Sequence, residues 1–375
     1  MSCIIELREL LSLTKRLDPP SLSFSFTQTC MKTKFRFSIG PWNISEGRDP
    51  YGPETRPARD LAWKLPLFKK GGFDAVMFHD DDVVPEIDSK SAARVLEEAA
   101  QVRRQLEDEG LFAEMVAPRL WFSERTIDGG FTSNRVQDRE YAIERALQTI
   151  DIANTLGTKL IVLWLAREGT YLRESKSCVR SMELLAHAVN KMLDHDPEIR
   201  IAIEPKPNEP VDVAYLPTLG HALAFAHLTR DPARVGAVVE SAHCVLAGLD
   251  PADELEFALA QKKLWSVHLN DQNGLKFDQD KPFGSVSLRS AFNQVRVLDQ
   301  HAYGSQDSAC IAFDAHLFRT SSINHALDHA TNSRKTFLRL LEKVRSFDEA
   351  GAAALIADRD YQALDQMVLN HLLAS

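Results

Sequence analysis

Cysteine is scarce in this chain, with five among 375 residues: Cys3, Cys30, Cys178, Cys244 and Cys310. They are far apart and form no CxxC pair, which argues against a disulfide framework or a thiolate zinc cluster and fits a reducing cytoplasm. Basic residues are in deficit, 44 Lys plus Arg against 53 Asp plus Glu, for a formal net charge of -9. That balance disfavours a surface built to capture nucleic-acid phosphates. No stretch approaches the roughly 18 consecutive apolar residues of a membrane span. The segment Met1 to Leu17 carries Glu6, Arg8, Glu9, Lys15 and Arg16, so it lacks the uncharged core of a secretion signal. Neither nucleic acid nor membrane is therefore expected as a partner.

Short apolar runs rich in β-branched residues alternate instead with segments of helical period, the pattern of βα units around a parallel sheet. Eight runs are expected as strands: Phe35 to Gly40, Ala75 to His79, Phe112 to Ala117, Leu160 to Leu165, Ile199 to Glu204, Val235 to Glu240, Leu264 to Leu269 and Cys310 to Asp314. Between them, Ile143, Ala146, Leu147, Ile150 and Ala153 share one face of a helix that begins after Asn134 and stops at Gly157. Ala92 to Glu109 and Ser181 to Leu193 read the same way. Eight such units fit a (β/α)8 TIM barrel, whose usual size is about 250 residues. An open doubly wound sheet is the competing fold, but no GxGxxG follows the first run to support dinucleotide binding. The expected organisation is a leader over residues 1–34, a catalytic barrel over 35–320 and a short helical C-terminal tail over 321–375 making subunit contacts. Met31, which closes a Ser/Thr-rich stretch, is a possible alternative start.

Most runs end in, or just before, a residue fit for chemistry: Trp42, His79 with Asp82, Trp121, Trp164, Glu204 with Lys206, Glu240 with His243, His268 with Asn270, and Asp314. A barrel gathers its strand ends on one rim, where its active site lies. Glu204 and Lys206 leave a buried strand two residues apart, so a carboxylate able to bind a hard cation stands beside an ammonium able to polarise a substrate oxygen. Glu240, His243, Asp278 and Asp280 supply three carboxylates and an imidazole, a set suited to Mg²⁺ or Mn²⁺. Glu204, Glu240 and Asp314 form a second cluster sharing Glu240. Asp82, three residues after His79, can hold that imidazole in one tautomer, or His79 can cap the following helix. Trp42, Trp121 and Trp164 offer apolar walls or plain core, and Cys244 reads as a small packed residue.

Gly47-Arg-Asp-Pro-Tyr51-Gly, Phe78-His-Asp-Asp-Asp82, Asp128-Gly-Gly-Phe-Thr-Ser-Asn134, Glu204-Pro-Lys-Pro-Asn-Glu-Pro210 and Gln272-Asn-Gly-Leu-Lys-Phe-Asp-Gln-Asp280 resemble the xylose isomerases, in the family's order. The resemblance implies a TIM barrel holding two divalent cations per subunit (Mg²⁺, Mn²⁺ or Co²⁺), acting on a free sugar and assembling as a homodimer or homotetramer. It implies that D-xylose becomes D-xylulose by a 1,2-hydride shift after ring opening. His79 would assist opening with Asp82 orienting it, and Lys206 would bind O1. Glu204, Glu240 and Asp314 would hold one cation; Glu240, His243, Asp278 and Asp280 the other. Trp42 and Trp164 would form a dry wall, and Tyr51, where the family has phenylalanine, would enter from a neighbouring subunit. His268 stands where the family has an aspartate ligand, which softens that site towards Mn²⁺ or Co²⁺. The segment around Ala117-Pro-Arg119-Leu-Trp121 also departs, so the far end of the sugar meets different side chains and another aldose is open. The competing class is a metal-dependent endonuclease or phosphoesterase, which calls for more histidine ligands and a basic face.

Overall fold

The computed structural model describes residues 33–304 and 309–374. The expected leader falls almost entirely outside them, as do Cys3 and Cys30. Eight strands close into one parallel barrel: β1 (Phe37–Ile39), β2 (Ala75–His79), β3 (Phe112–Ala117), β4 (Leu160–Trp164), β5 (Arg200–Glu204), β6 (Val235–Glu240), β7 (Leu264–Leu269) and β8 (Ile311–Phe313). Each pairs with its neighbours in sequence, and β1 closes on β8 with Phe37 beside Ile311 and Ile39 beside Phe313. The eight runs read from the sequence are these strands, four of them shortened by one to three residues.

The runs are nearly continuous in apolar residues because both faces of a parallel sheet are covered. One face of the strands, including Ile39, Phe78, Ile161, Ile203 and Val267, joins the large core beneath the helices. The other fills the barrel with Met77, Met115, Ala117, Leu160, Val162, Ala202, Val238 and Ala312. The helices around it are α1 (Leu61–Lys70), α2 (Ala92–Asp108), α3 (Val136–Leu156), α4 (Cys178–His195), α5 (Leu219–Ala226), α6 (Pro251–Ala260), α7 (Leu288–Gln300) and α8 (Asp328–Arg345). Gly157 ends α3 at φ 88°, a left-handed cap that glycine adopts without a Cβ penalty. α4 begins earlier than its apolar period suggests, because the Ser177 side chain accepts from the Arg180 N–H and caps it.

Helix α8 lies in the stretch beyond residue 320 that the sequence pattern assigns to a tail. It packs on the barrel: Phe337, fully buried, sits edge-on to Phe35 at 5.1 Å and to Phe37 at 5.5 Å. Two further helices, α9 (Glu349–Ala357) and α10 (Tyr361–Leu373), follow. No helix among the described residues is long and apolar enough to cross a membrane.

Phe337→Ala should lower the free energy of unfolding by about 3–5 kcal/mol, since it removes a fully buried ring between α8 and two barrel strands. Denaturant titration checks this; a loss below about 1 kcal/mol would show that α8 is peripheral.

Candidate active site

At the carboxyl rim of the barrel lies a pocket of about 1000 Å³. Glu204 ends β5, Glu240 ends β6, His268 lies one residue inside the end of β7, and Asp314 follows β8. His243 stands on a short helix, Ser241–Leu246, one turn beyond Glu240, and Asp278 and Asp280 come from the loop after β7. These are the seven ligands expected from the sequence, and the fold brings all of them together. Three sets each place one donor atom per residue within 4.8 Å of the others: Glu204, Glu240 and His243; Glu240, His268 and Asp314; Glu240, Asp278 and Asp280. Glu240 belongs to all three. Glu204 shares a set with His243 and Asp314 a set with His268, and Glu204 lies about equally close to the two imidazoles, 3.7 Å from His243 and 3.6 Å from His268.

The electrostatics of this group are unbalanced. Burial pushes the Glu204 and Glu240 carboxyls up, and burial together with repulsion from Asp278 and Asp314 pushes Asp280 up. Burial opposes charge on His268, but its contact with Glu240 and the charges of Glu204 and Asp314 raise it to about 9. Asp278 resists the same burial because His243, 3.2 Å away, and Lys206, 2.8 Å away, hold it down. Lys206 in turn is raised by Asp278 against its own burial and stays charged. Hydrogen bonds within the protein leave His243 Nδ1, His268 Nδ1 and Asp278 Oδ1 buried without a partner. Orphaned hard and borderline donors around a shared carboxylate fit divalent cations.

His79 and Asp82 meet as the sequence suggests, Nδ1 to Oδ2 at 3.0 Å. Asp82 also accepts the His79 backbone N–H at 3.0 Å, so the same carboxylate closes the cap of the short helix Asp80–Val83. Burial raises the Asp82 carboxyl, but the bonds and charges of His79 and Arg119 outweigh it and bring it to about 2. Trp42 lies against His79 with ring centroids 4.2 Å apart, Trp121 approaches the same ring at 5.2 Å, and Trp164 stacks edge-on to Trp121 at 4.4 Å. Lys206 Nζ lies 5.2 Å from the Trp164 ring centre. Tyr51 is also at the pocket but is 96% exposed.

Several partners carry no strong sequence signal. The Asn270 amide reaches Glu240 at 2.8 Å, Asp280 at 3.0 Å and the Asp314 carbonyl at 2.9 Å, tying three segments of the rim together. Its place two residues after His268 is the only hint. Trp42 Nε1 donates to Asp314 at 2.8 Å, so the expected wall also orients that carboxylate. Arg119 lies 3.2 Å from Asp81 and from Asp82. Asp80 is wholly buried against Arg145, with contacts of 2.5 and 2.9 Å, which anchors the segment bearing His79. His316, 3.2 Å from Asp280, comes from the segment after β8. Cys244 is a buried free thiol beside this site.

The model of the xylose isomerase-like TIM barrel family matches residues 65–302. The chain belongs to that family. Across 323 residues it is 32% identical to a xylose isomerase of Thermus thermophilus, covering 85% of this chain and 82% of that protein. A D-psicose 3-epimerase from Clostridium cellulolyticum H10, solved with D-tagatose, superposes with a TM-score of 0.58 at 10% identity over 82% of this chain and 99% of its own. The IolI protein, solved with a zinc atom, gives a TM-score of 0.56 at 17% identity over 83% and 99%. These two likenesses show the fold. Sugar isomerases and epimerases thus share this barrel.

Because ligands must shed protons to bind a cation, Mn²⁺ uptake at pH 7 should release protons from His268 and its carboxyl neighbours and tighten as pH rises towards 9. Calorimetric titration in buffers of different ionisation enthalpy checks it; binding with no proton release would contradict this ligand set.

Proposed function

We propose that this protein is a metal-dependent aldose–ketose isomerase acting on a free sugar, with D-xylose to D-xylulose as the leading reaction. The observation that carries the reading is the charged Lys206, 2.8 Å from Asp278, beside three ligand sets that share Glu240 and next to the ring of Trp164. Two divalent cations held by Glu204, Glu240, His243, His268, Asp278, Asp280 and Asp314 would polarise adjacent sugar oxygens and offset negative charge developing there.

The chain's own residues then divide the work. His79 has its Nδ1 held between Asp82 and Arg119, which leaves Nε2 to exchange a proton with the ring oxygen as the sugar opens. Asp82, ionised throughout the physiological range, fixes that orientation. Lys206 donates to O1 of the open aldose and stabilises charge as the carbonyl is reduced. The hydride passes from C2 to C1, while the proton lost by O2 is regained at O1, so the isomerisation needs no external reductant. Trp42, Trp121 and Trp164 keep water from the reacting carbons. Arg119, Trp121 and Phe122 line the same pocket and would meet the far end of the sugar, where preference among aldoses is set. Tyr51 would complete a neighbouring subunit's pocket in a homodimer or homotetramer, a role its exposure supports.

Incubation with D-xylose and Mg²⁺, Mn²⁺ or Co²⁺ in turn should yield ketose with at least one metal, and Lys206→Ala should cut kcat by about 100-fold or more with metal binding retained. No ketose with any of the three, or full activity of the variant, refutes the assignment.

A further inference from the structure

The barrel interior below the metal-ligand rim holds a polar group that the proposed reaction does not use. Glu114, on β3, is buried in the barrel and accepts the Ser266 hydroxyl at 3.0 Å across it. Ser266 lies on β7 two residues before His268, so the two side chains share the strand's inward face. His268 is 1% exposed. Its Nδ1 is turned towards the ligands, 3.6 Å from Glu204 and 3.8 Å from Glu240. Its Nε2 is buried and unpartnered, and so are Glu114 Oε2 and the Ser38 hydroxyl. Three orphaned polar atoms in one barrel interior are too many to leave unexplained, because each costs about 1–3 kcal/mol if nothing meets it.

The chemistry of a ligating imidazole supplies the link. An imidazole that gives its Nδ1 lone pair to a cation carries its remaining proton on Nε2, and that N–H needs an acceptor to fix the ring. We infer that Glu114 is a positioning residue for His268, accepting the Nε2 proton through a buried water that Ser38 and Ser266 also contact. Such a water would have four polar neighbours, enough to hold it in place. The Ser266 hydroxyl fixes the carboxyl by its other oxygen, so the acceptor is aimed before any cation arrives. The inference rests on the reading of His268 as a metal ligand.

Its test is Mn²⁺ binding to metal-stripped protein, followed calorimetrically, alongside thermal unfolding of the same samples without metal. Wild type should bind two Mn²⁺. Glu114→Met, which keeps the volume and removes the acceptor, should weaken one of the two sites about 10- to 100-fold and leave the other, while Glu114→Gln, which keeps an acceptor oxygen, should bind like wild type. If Glu114→Met does not fold, Ser266→Ala carries the same comparison and should weaken that one site too. Wild-type affinity in the Met variant, or equal weakening of both sites, overturns the role of Glu114. A wild type that binds no Mn²⁺ fails earlier, at the reading of His268 itself.

Discussion

Everything at the rim of this barrel is arranged around one buried carboxylate. Glu240, 2% exposed, is shared by all three ligand sets and is held by the Asn270 amide. Desolvating several carboxylates together is costly in a low-dielectric site, and Lys206 with the imidazoles offsets only part of that charge. A bound cation would supply the counter-charge. The surrounding devices make sense on that basis: Trp42 turns a ring N–H towards Asp314, Asn270 ties β6, β7 and the loop beyond, and Lys206 keeps Asp278 ionised.

A fold that collects strand ends solves the geometric half of the problem. Eight parallel strands deliver Glu204, Glu240, His268 and Asp314 to one rim without any long-range sequence signal between them. The loop after β7 adds Asp278 and Asp280, and the backbone N–H of Asp278 is itself held by Glu209 at 3.0 Å. A two-stranded ribbon, Gly169–Thr170 with Val213–Ala214, joins the loops after β4 and β5. It needs glycine at 169, where a Cβ would collide with the Val213 carbonyl. Scaffold and site are therefore coupled through loops as much as through strands.

The strands were legible because both their faces are buried, which makes β2, β4 and β6 stand out as runs that stay apolar up to their last residue. The rim residues were legible for the complementary reason: Glu, His and Asp at the ends of such runs have few structural uses. Less could be read where partners come together only in three dimensions. Arg119 against Asp81 and Asp82, Arg145 against Asp80, and His316 against Asp280 depend on loop paths that periodicity does not encode. Glu114 interrupts β3 with a charge, yet nothing local says that it meets a serine on the opposite side of the barrel. A helix beyond residue 320 was expected, but the packing of α8 depends on the rings of Phe35 and Phe37, far away in sequence.

In the proposed reaction, hydride passes directly between neighbouring sugar carbons in a dry pocket beside bound cations. Its most direct test uses D-xylose bearing deuterium at C2, turned over in ordinary water by the metal-loaded protein and followed by NMR. The deuterium should reappear at C1 of the ketose. Its loss to solvent would show an exchanging proton-transfer route and contradict the role assigned to the tryptophan wall and the buried carboxylates.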